Sequence, residues 1–115
     1  MALYTAQYRY SGGDRFDISV KGGQSAAFAP TWNMVMDWKA SRLDEIARAR
    51  YTVEYFHLLG TRHAQDPSAF DRLWTMSNNG DATLVCFCRS GDFCHRLLLA
   101  AWMEKYYGIT YLGER

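Results

Sequence analysis

Apolar and polar positions alternate along Leu3–Tyr10, and again along Phe16–Val20, where Phe16, Ile18 and Val20 stand against Asp17 and Ser19. A period of two puts the two sets on opposite faces of a strand, and the intervening SGGD has turn composition, so two strands joined by a turn are predicted. The stretch KGGQSAAFAP reads as loop. Pro30 suits the opening of a helix in which Trp32, Val35, Met36 and Lys39 fall at helical spacing. SRLDEIARAR is compatible with a polar helical turn or with a solvated connection. From Tyr51, the positions Tyr55, Phe56, Leu58 and Leu59 suggest a helix ending before or near Gly60 or a little beyond it. Asp66-Pro67 starts the next one, which runs through Phe70, Leu73, Trp74 and Ser77 and stops at SNNGD.

Thr83–Cys88 differs from the earlier strands. It is an almost continuous apolar run bounded by turn residues, as expected for a central strand covered on both faces. After RSGD the period becomes helical through Cys94, Leu97, Leu98 and Ala101, and Ile109–Leu112 reads as a last strand. The alternation of strands and helices predicts a single three-layer α/β domain over residues 1–115, with a small, mostly parallel central sheet flanked by helices. A chain of 115 residues, 49% of them hydrophobic, has enough apolar material for such a core.

Charge narrows the partners. Thirteen Lys and Arg against twelve Asp and Glu leave a formal charge of +1, so no global field marks a nucleic-acid or membrane-surface protein, and any anion site is local. No run has signal-peptide character, and none approaches the roughly 20 apolar residues that cross a bilayer, so a cytoplasmic protein without a membrane partner is expected. Three cysteines cannot make a disulfide framework without leaving one over, and a reducing compartment keeps them as thiols.

The candidate chemistry sits where the central strand meets the last helix, in CFCRSGDFCHR. Open α/β sheets bind ligands at the carboxyl ends of their strands. Gly91 permits a sharp bend, Asp92 is placed to cap the helix, and Cys94, His95 and Arg96 then occupy its first turn. Free helix amides, with Arg89, Ser90 and Arg96, would hold a phosphate or carboxylate there. The same field would favour a thiolate at Cys94 or Cys88, with His95 as acid or base. This is not the phosphatase loop, which needs arginine six positions after its cysteine; six after Cys88 stands Cys94, and six after Cys86 stands Asp92. Cys86, Cys88, Cys94 and His95 are ligands of the right type for zinc, but structural zinc sites more often draw pairs from separate knuckles, and neither metal nor cofactor is expected. Against all of these stands the plain reading in which cysteines are small buried residues and Arg96 snorkels from its helix.

Other contributors lie upstream. Arg9, Arg15, Asp17 and Lys21 straddle the first hairpin, where the cations could meet phosphate at a pocket mouth, and Trp32 or Tyr10 could stack on a base. Exposed strand charges and core tryptophans are the simpler alternative, and surface roles are expected for His57 and His63.

With C-F-C-R-S-G-D-F-C-H-R-L-L-L-A in view, the chain resembles the domain of unknown function 488 family, particularly its short bacterial and phage-type members. Cys94, His95 and Arg96 match the family's Cys-His-Arg triplet, Cys86 its strand cysteine, and Leu98–Ala100 the helix that follows. YTAQYRY is similar to the family's opening strand and FDISV to its second, with Asp17 on an acidic position and Ser19 where arginine is usual. The resemblance implies an α/β fold with a ligand or catalytic site at the Cys-His-Arg turn. The expected function is therefore binding of a phosphorylated or anionic ligand, a nucleotide or nucleic-acid end, at this helix N-terminus. The alternatives are a cysteine-dependent enzyme using Cys94 or Cys88, and a metal-stabilised interaction module.

Overall fold

A computed structural model of the chain describes residues 2–19, 26–86 and 94–115. Four strands, β1 (Ala2–Gln7), β2 (Arg15–Asp17), β3 (Asp81–Cys86) and β4 (Tyr111–Glu114), form one all-parallel sheet in the order β2-β3-β1-β4. The helices are α1 (Trp32–Ala40), α2 (Glu45–Gln65), α3 (Ser68–Asn78) and α4 (His95–Tyr107), with a short 3-10 turn at Ala26–Phe28. The expected α/β fold with a parallel sheet is thus present.

The first two strands form, but they are not neighbours. β3 lies between them and runs parallel to both, pairing Ala2 with Asp81 through Gln7 with Cys86 on one edge and Arg15 with Thr83 through Asp17 with Val85 on the other. The reason is burial. Ala82–Cys86 is buried at every position, so this strand needs ladder partners on both edges as well as cover on both faces. The Tyr8–Asp14 segment folds back along the sheet, and the Thr83 amide donates to the Asp14 carbonyl at 2.8 Å, which starts β2 level with Thr83.

Alternation along β1 and β3 divides their side chains between two environments. Leu3, Ala82, Leu84 and Cys86 join Phe16 and Ile18 in the main core, packed with Tyr55, Leu59, Phe70, Leu73, Leu99 and Met103 from the helices. On the other face Tyr4 lies under the Arg115 guanidinium, 3.8 Å from the ring centre, and Asp14 accepts hydrogen bonds from Tyr10 and Thr83. Among the described residues, this polar and aromatic network lies on that face.

Local signals explain the helix limits. Thr31 caps α1 by accepting from the Met34 amide, and Asp44 caps α2 by accepting from the Ala47 amide at 2.9 Å. SRLDEIARAR therefore divides at Asp44 into connection and helix. α2 passes Gly60 and ends a little beyond it, at Gln65. A mid-helix glycine costs about 1 kcal/mol, and contacts beyond it offset that cost. Arg62 Nη1 donates to the carbonyls of Ala26, Ala27 and Ala29 at 2.6–3.0 Å. His63 Nε2 lies 2.9 Å from the Tyr107 hydroxyl, which itself donates to Asp71. Asp66 accepts from the Ser68 amide as α3 begins, and Gly108, at φ 70°, ends α4 in the left-handed conformation that glycine adopts without steric cost.

Tyr55 joins α2 to the 3-10 turn, because its buried hydroxyl donates to the Phe28 carbonyl at 2.7 Å. Replacing Tyr55 by Phe keeps the ring but orphans that carbonyl, so Tyr55→Phe should destabilise the fold by about 1–3 kcal/mol in urea unfolding. An unchanged midpoint would show that the bond contributes nothing.

Candidate functional site

Two elements bring the site together. β3 carries Cys86 to its carboxyl end on the core-facing side, and the chain returns at Cys94, whose extended backbone (φ −154°, ψ 153°) places it as the residue before α4. His95 and Arg96 are the first two residues of that helix. Successive helical residues point about 100° apart, so the triplet spreads over the end of the sheet instead of facing one way.

The sulfurs of Cys86 and Cys94 converge to 2.6 Å, and both residues are buried, at 1% and 3% exposure. His95 turns towards β2. Its Nε2 lies 2.7 Å from the carbonyl oxygen of Ile18 and its Nδ1 3.6 Å from the Cys94 sulfur. A carbonyl only accepts, so Nε2 carries the proton and Nδ1 presents its lone pair to the thiol. Burial lowers the His95 pKa, and the neighbouring Arg96 charge pushes the same way against the opposing pull of Cys86 and the Ile18 carbonyl. The ring is neutral at pH 7. Tyr55 packs edge-on against it, with ring centres 5.9 Å apart.

Arg96 turns the other way. It is 0% exposed, donates through Nε and Nη2 to the two carboxylate oxygens of Glu114 at 3.1 and 2.7 Å, and through Nη1 to the Cys86 sulfur at 3.1 Å. Burial alone would disfavour the charge, but the Glu114 fork and the Cys86 contact outweigh it and raise the pKa above its ordinary value. The guanidinium remains charged. In sequence this arginine reads as an anion ligand or a snorkelling side chain; in the structure its fork is taken by Glu114 and its whole length is buried.

The remaining sequence candidates fall elsewhere. Asp17 is buried at the end of β2, accepting from the Ser19 amide at 2.9 Å. Arg15 stands at the beginning of β2, donating to the Tyr8 carbonyl and lying over the Tyr8 ring. Arg9 is exposed, and Trp32 opens α1 at 54% exposure. Cys88, Arg89, Ser90, Lys21 and the expected Asp92 cap lie outside the described residues. Sequence reasoning missed Glu114 and the Ile18 carbonyl. The only hint of Glu114 was an acid in a terminal strand beside a helix that buries its arginine, and a main-chain acceptor leaves no residue-type signal at all.

Cys86, Cys94 and His95 offer two sulfurs and one ring nitrogen within 4.8 Å of one another, all buried. These are donor types that zinc or a similar soft cation takes, and a carbonyl on the far ring nitrogen is the usual orienting partner of a metal-bound histidine.

The buried neutral His95 has a consequence for stability. Its proton affinity is lower in the folded than in the unfolded state, so its contribution is present above the ordinary histidine pKa of 6.5 and is lost as pH falls below it. Unfolding free energy should drop between pH 7 and 5 with a slope of up to about 1.4 kcal/mol per pH unit from this residue. Urea titrations of His95→Gln should show a shallower slope over the same range; equal slopes would mean the ring is not buried neutral.

No curated protein and no solved structure matches the chain. A family model described as the active DUF488-N3 subclade matches residues 7–107, spanning both the strand that carries Cys86 and the helix that opens with Cys94, His95 and Arg96. With nearly its whole length matched, the chain belongs to the DUF488 family, in that N3 subclade.

Proposed function

We propose that this chain is a thiol-dependent enzyme domain in which Cys94 is the nucleophile and His95 its base, acting on a phosphorylated or otherwise anionic ligand such as a nucleotide or nucleic-acid end. One observation carries the reading: with Nε2–H committed to the Ile18 carbonyl, the lone pair of His95 Nδ1 is held towards the Cys94 sulfur. A neutral ring is the form able to accept the thiol proton. The description of the family's subclade as active favours an enzyme over a binding module.

The chemistry these groups support is a two-step transfer. Nδ1 accepts the Cys94 proton, the sulfur bonds to the electrophilic atom of the ligand, and the leaving group departs with the proton from Nδ1. The ring, neutral again, then takes a proton from water as the water oxygen displaces the sulfur. The amide end of α4 and the Arg96 charge both favour a negative sulfur and an anionic ligand in the same turn. Arg96 acts here as a positioning residue, because Glu114 occupies its fork. Direct contacts with the ligand fall to Arg89, Ser90 and Lys21 in this reading, and Cys88 is the alternative nucleophile.

Limiting iodoacetamide near neutral pH, followed by peptide mapping, tests the assignment. Cys94 should be alkylated ahead of Cys86, at a rate lowered on the order of 100-fold in His95→Gln, the lower end of what a positioned base contributes. Reaction of both cysteines only on unfolding, or an unchanged rate in the variant, would refute it. Nucleotides or inorganic phosphate should raise the melting temperature of the wild type, and a panel without any response would remove the anionic ligand.

A further inference from the structure

The Cys86–Cys94 contact offers a chemistry separate from substrate turnover. We propose that these two thiols interconvert with an intramolecular disulfide, so that the junction of β3 and α4 is a redox latch. Formation of the bond does not depend on the proposed function; only its consequence, the silencing of Cys94 as a nucleophile, rests on that reading.

The sulfurs arrive from different elements. Cys86 is fixed by the ladder that pairs it with Gln7, and Cys94 by its position at the head of α4. They meet at 2.6 Å inside the core, where neither needs a large movement to reach the other. Each also has a neighbour suited to thiol–disulfide exchange. His95 Nδ1 faces Cys94 and can take its proton, and Arg96 Nη1 donates to the Cys86 sulfur, which favours the thiolate there. Once one sulfur has been oxidised the other is its nearest thiol, so closure within the chain is favoured.

The oxidant is a low-molecular-weight disulfide. The Cys94 thiolate bonds to one of its sulfurs and expels the other as a thiolate, giving a mixed disulfide on Cys94. The Cys86 thiolate then attacks the Cys94 sulfur, forms the Cys86–Cys94 bond and expels the second small thiolate. Two protein thiols are oxidised, one small disulfide is reduced to two thiols, and the two protons pass to the departing sulfurs. In a reducing compartment such a bond is transient and reports on redox poise.

The full chain, equilibrated in glutathione buffers of increasing oxidised fraction and quenched with N-ethylmaleimide, provides the test. The expected product is lower in mass by two hydrogens, loses two alkylation equivalents, yields a linked Cys86–Cys94 peptide, reverts with dithiothreitol, and forms equally in Cys88→Ser. Mapping the wild type makes the result independent of whether Cys86→Ser or Cys94→Ser folds. Full alkylation of all three cysteines in the most oxidising buffer would overturn the latch, as would a bond that always includes Cys88. Stoichiometric zinc released on thiol modification would also overturn it by making the cluster a metal centre. A disulfide in a protein whose Cys94 resists iodoacetamide would leave the latch standing and remove the proposed nucleophile. Reactive Cys94 without a disulfide would do the reverse.

Discussion

A guanidinium with no access to water dictates how the end of this sheet is assembled. Arg96 is charged and fully buried, which is tolerated only if its donors are met, and two strands contribute acceptors: Glu114 of the edge strand β4 and Cys86 of the central strand β3. In the sheet, β1 lies between those two strands, so the side chain reaches across its neighbour and fixes how α4 lies over the sheet. His95, one residue earlier, reaches in the opposite direction to the backbone following β2. Cys94 stands between, against Cys86. The triplet therefore reaches from the backbone after β2, through Cys86 of β3, to Glu114 of β4.

This arrangement accounts for the neighbourhood of charges that makes the sulfurs chemically interesting. A cation compensated by a partly exposed carboxylate, with Glu114 at 21% exposure, and a neutral imidazole with one committed nitrogen are placed beside two thiols in a dry setting. Low local polarity strengthens every one of these interactions. The same placement serves transfer chemistry and thiol exchange, because both begin with a proton leaving Cys94. On the helical side Phe28 and Phe70 lie 5.0 Å apart edge to face, and Phe70 packs 5.0 Å from Trp102 of α4.

Much of this was readable along the chain. The apolar run before RSGD is the doubly covered strand, and the change to a helical period after it marks α4, because burial on two faces and burial on one stripe leave different repeats. Asp66-Pro67 as a helix start follows from a side chain acting on its own backbone. What the pattern could not supply was partnership at a distance. Alternation places strands within Leu3–Tyr10 and Phe16–Val20, where β1 ends at Gln7 and β2 is Arg15–Asp17, but carries no statement of which strand lies beside which, and the intrusion of β3 between them is a demand of β3. Gly60 reads as lying near a stop because local propensity disfavours it, whereas Arg62 and His63 secure the helix beyond it through residues far away in sequence. Of the candidate site, the Cys-His-Arg turn was found by residue type and spacing. The direction each side chain takes was not, because Glu114 and Ile18 are remote in sequence.

The partner of His95 is an oxygen of the main chain, and that alters what evolution and mutagenesis can reach. Exchanging the isoleucine side chain at position 18 leaves the acceptor in place, so hydrophobic variation there should be silent as far as the ring's tautomer is concerned. The sensitive quantity is the length of the strand edge: the Ile18 amide is bonded to the Val85 carbonyl at 2.9 Å, and inserting or deleting one residue between Arg15 and Ile18 would rotate the carbonyl away from the imidazole while changing no residue of the Cys-His-Arg triplet.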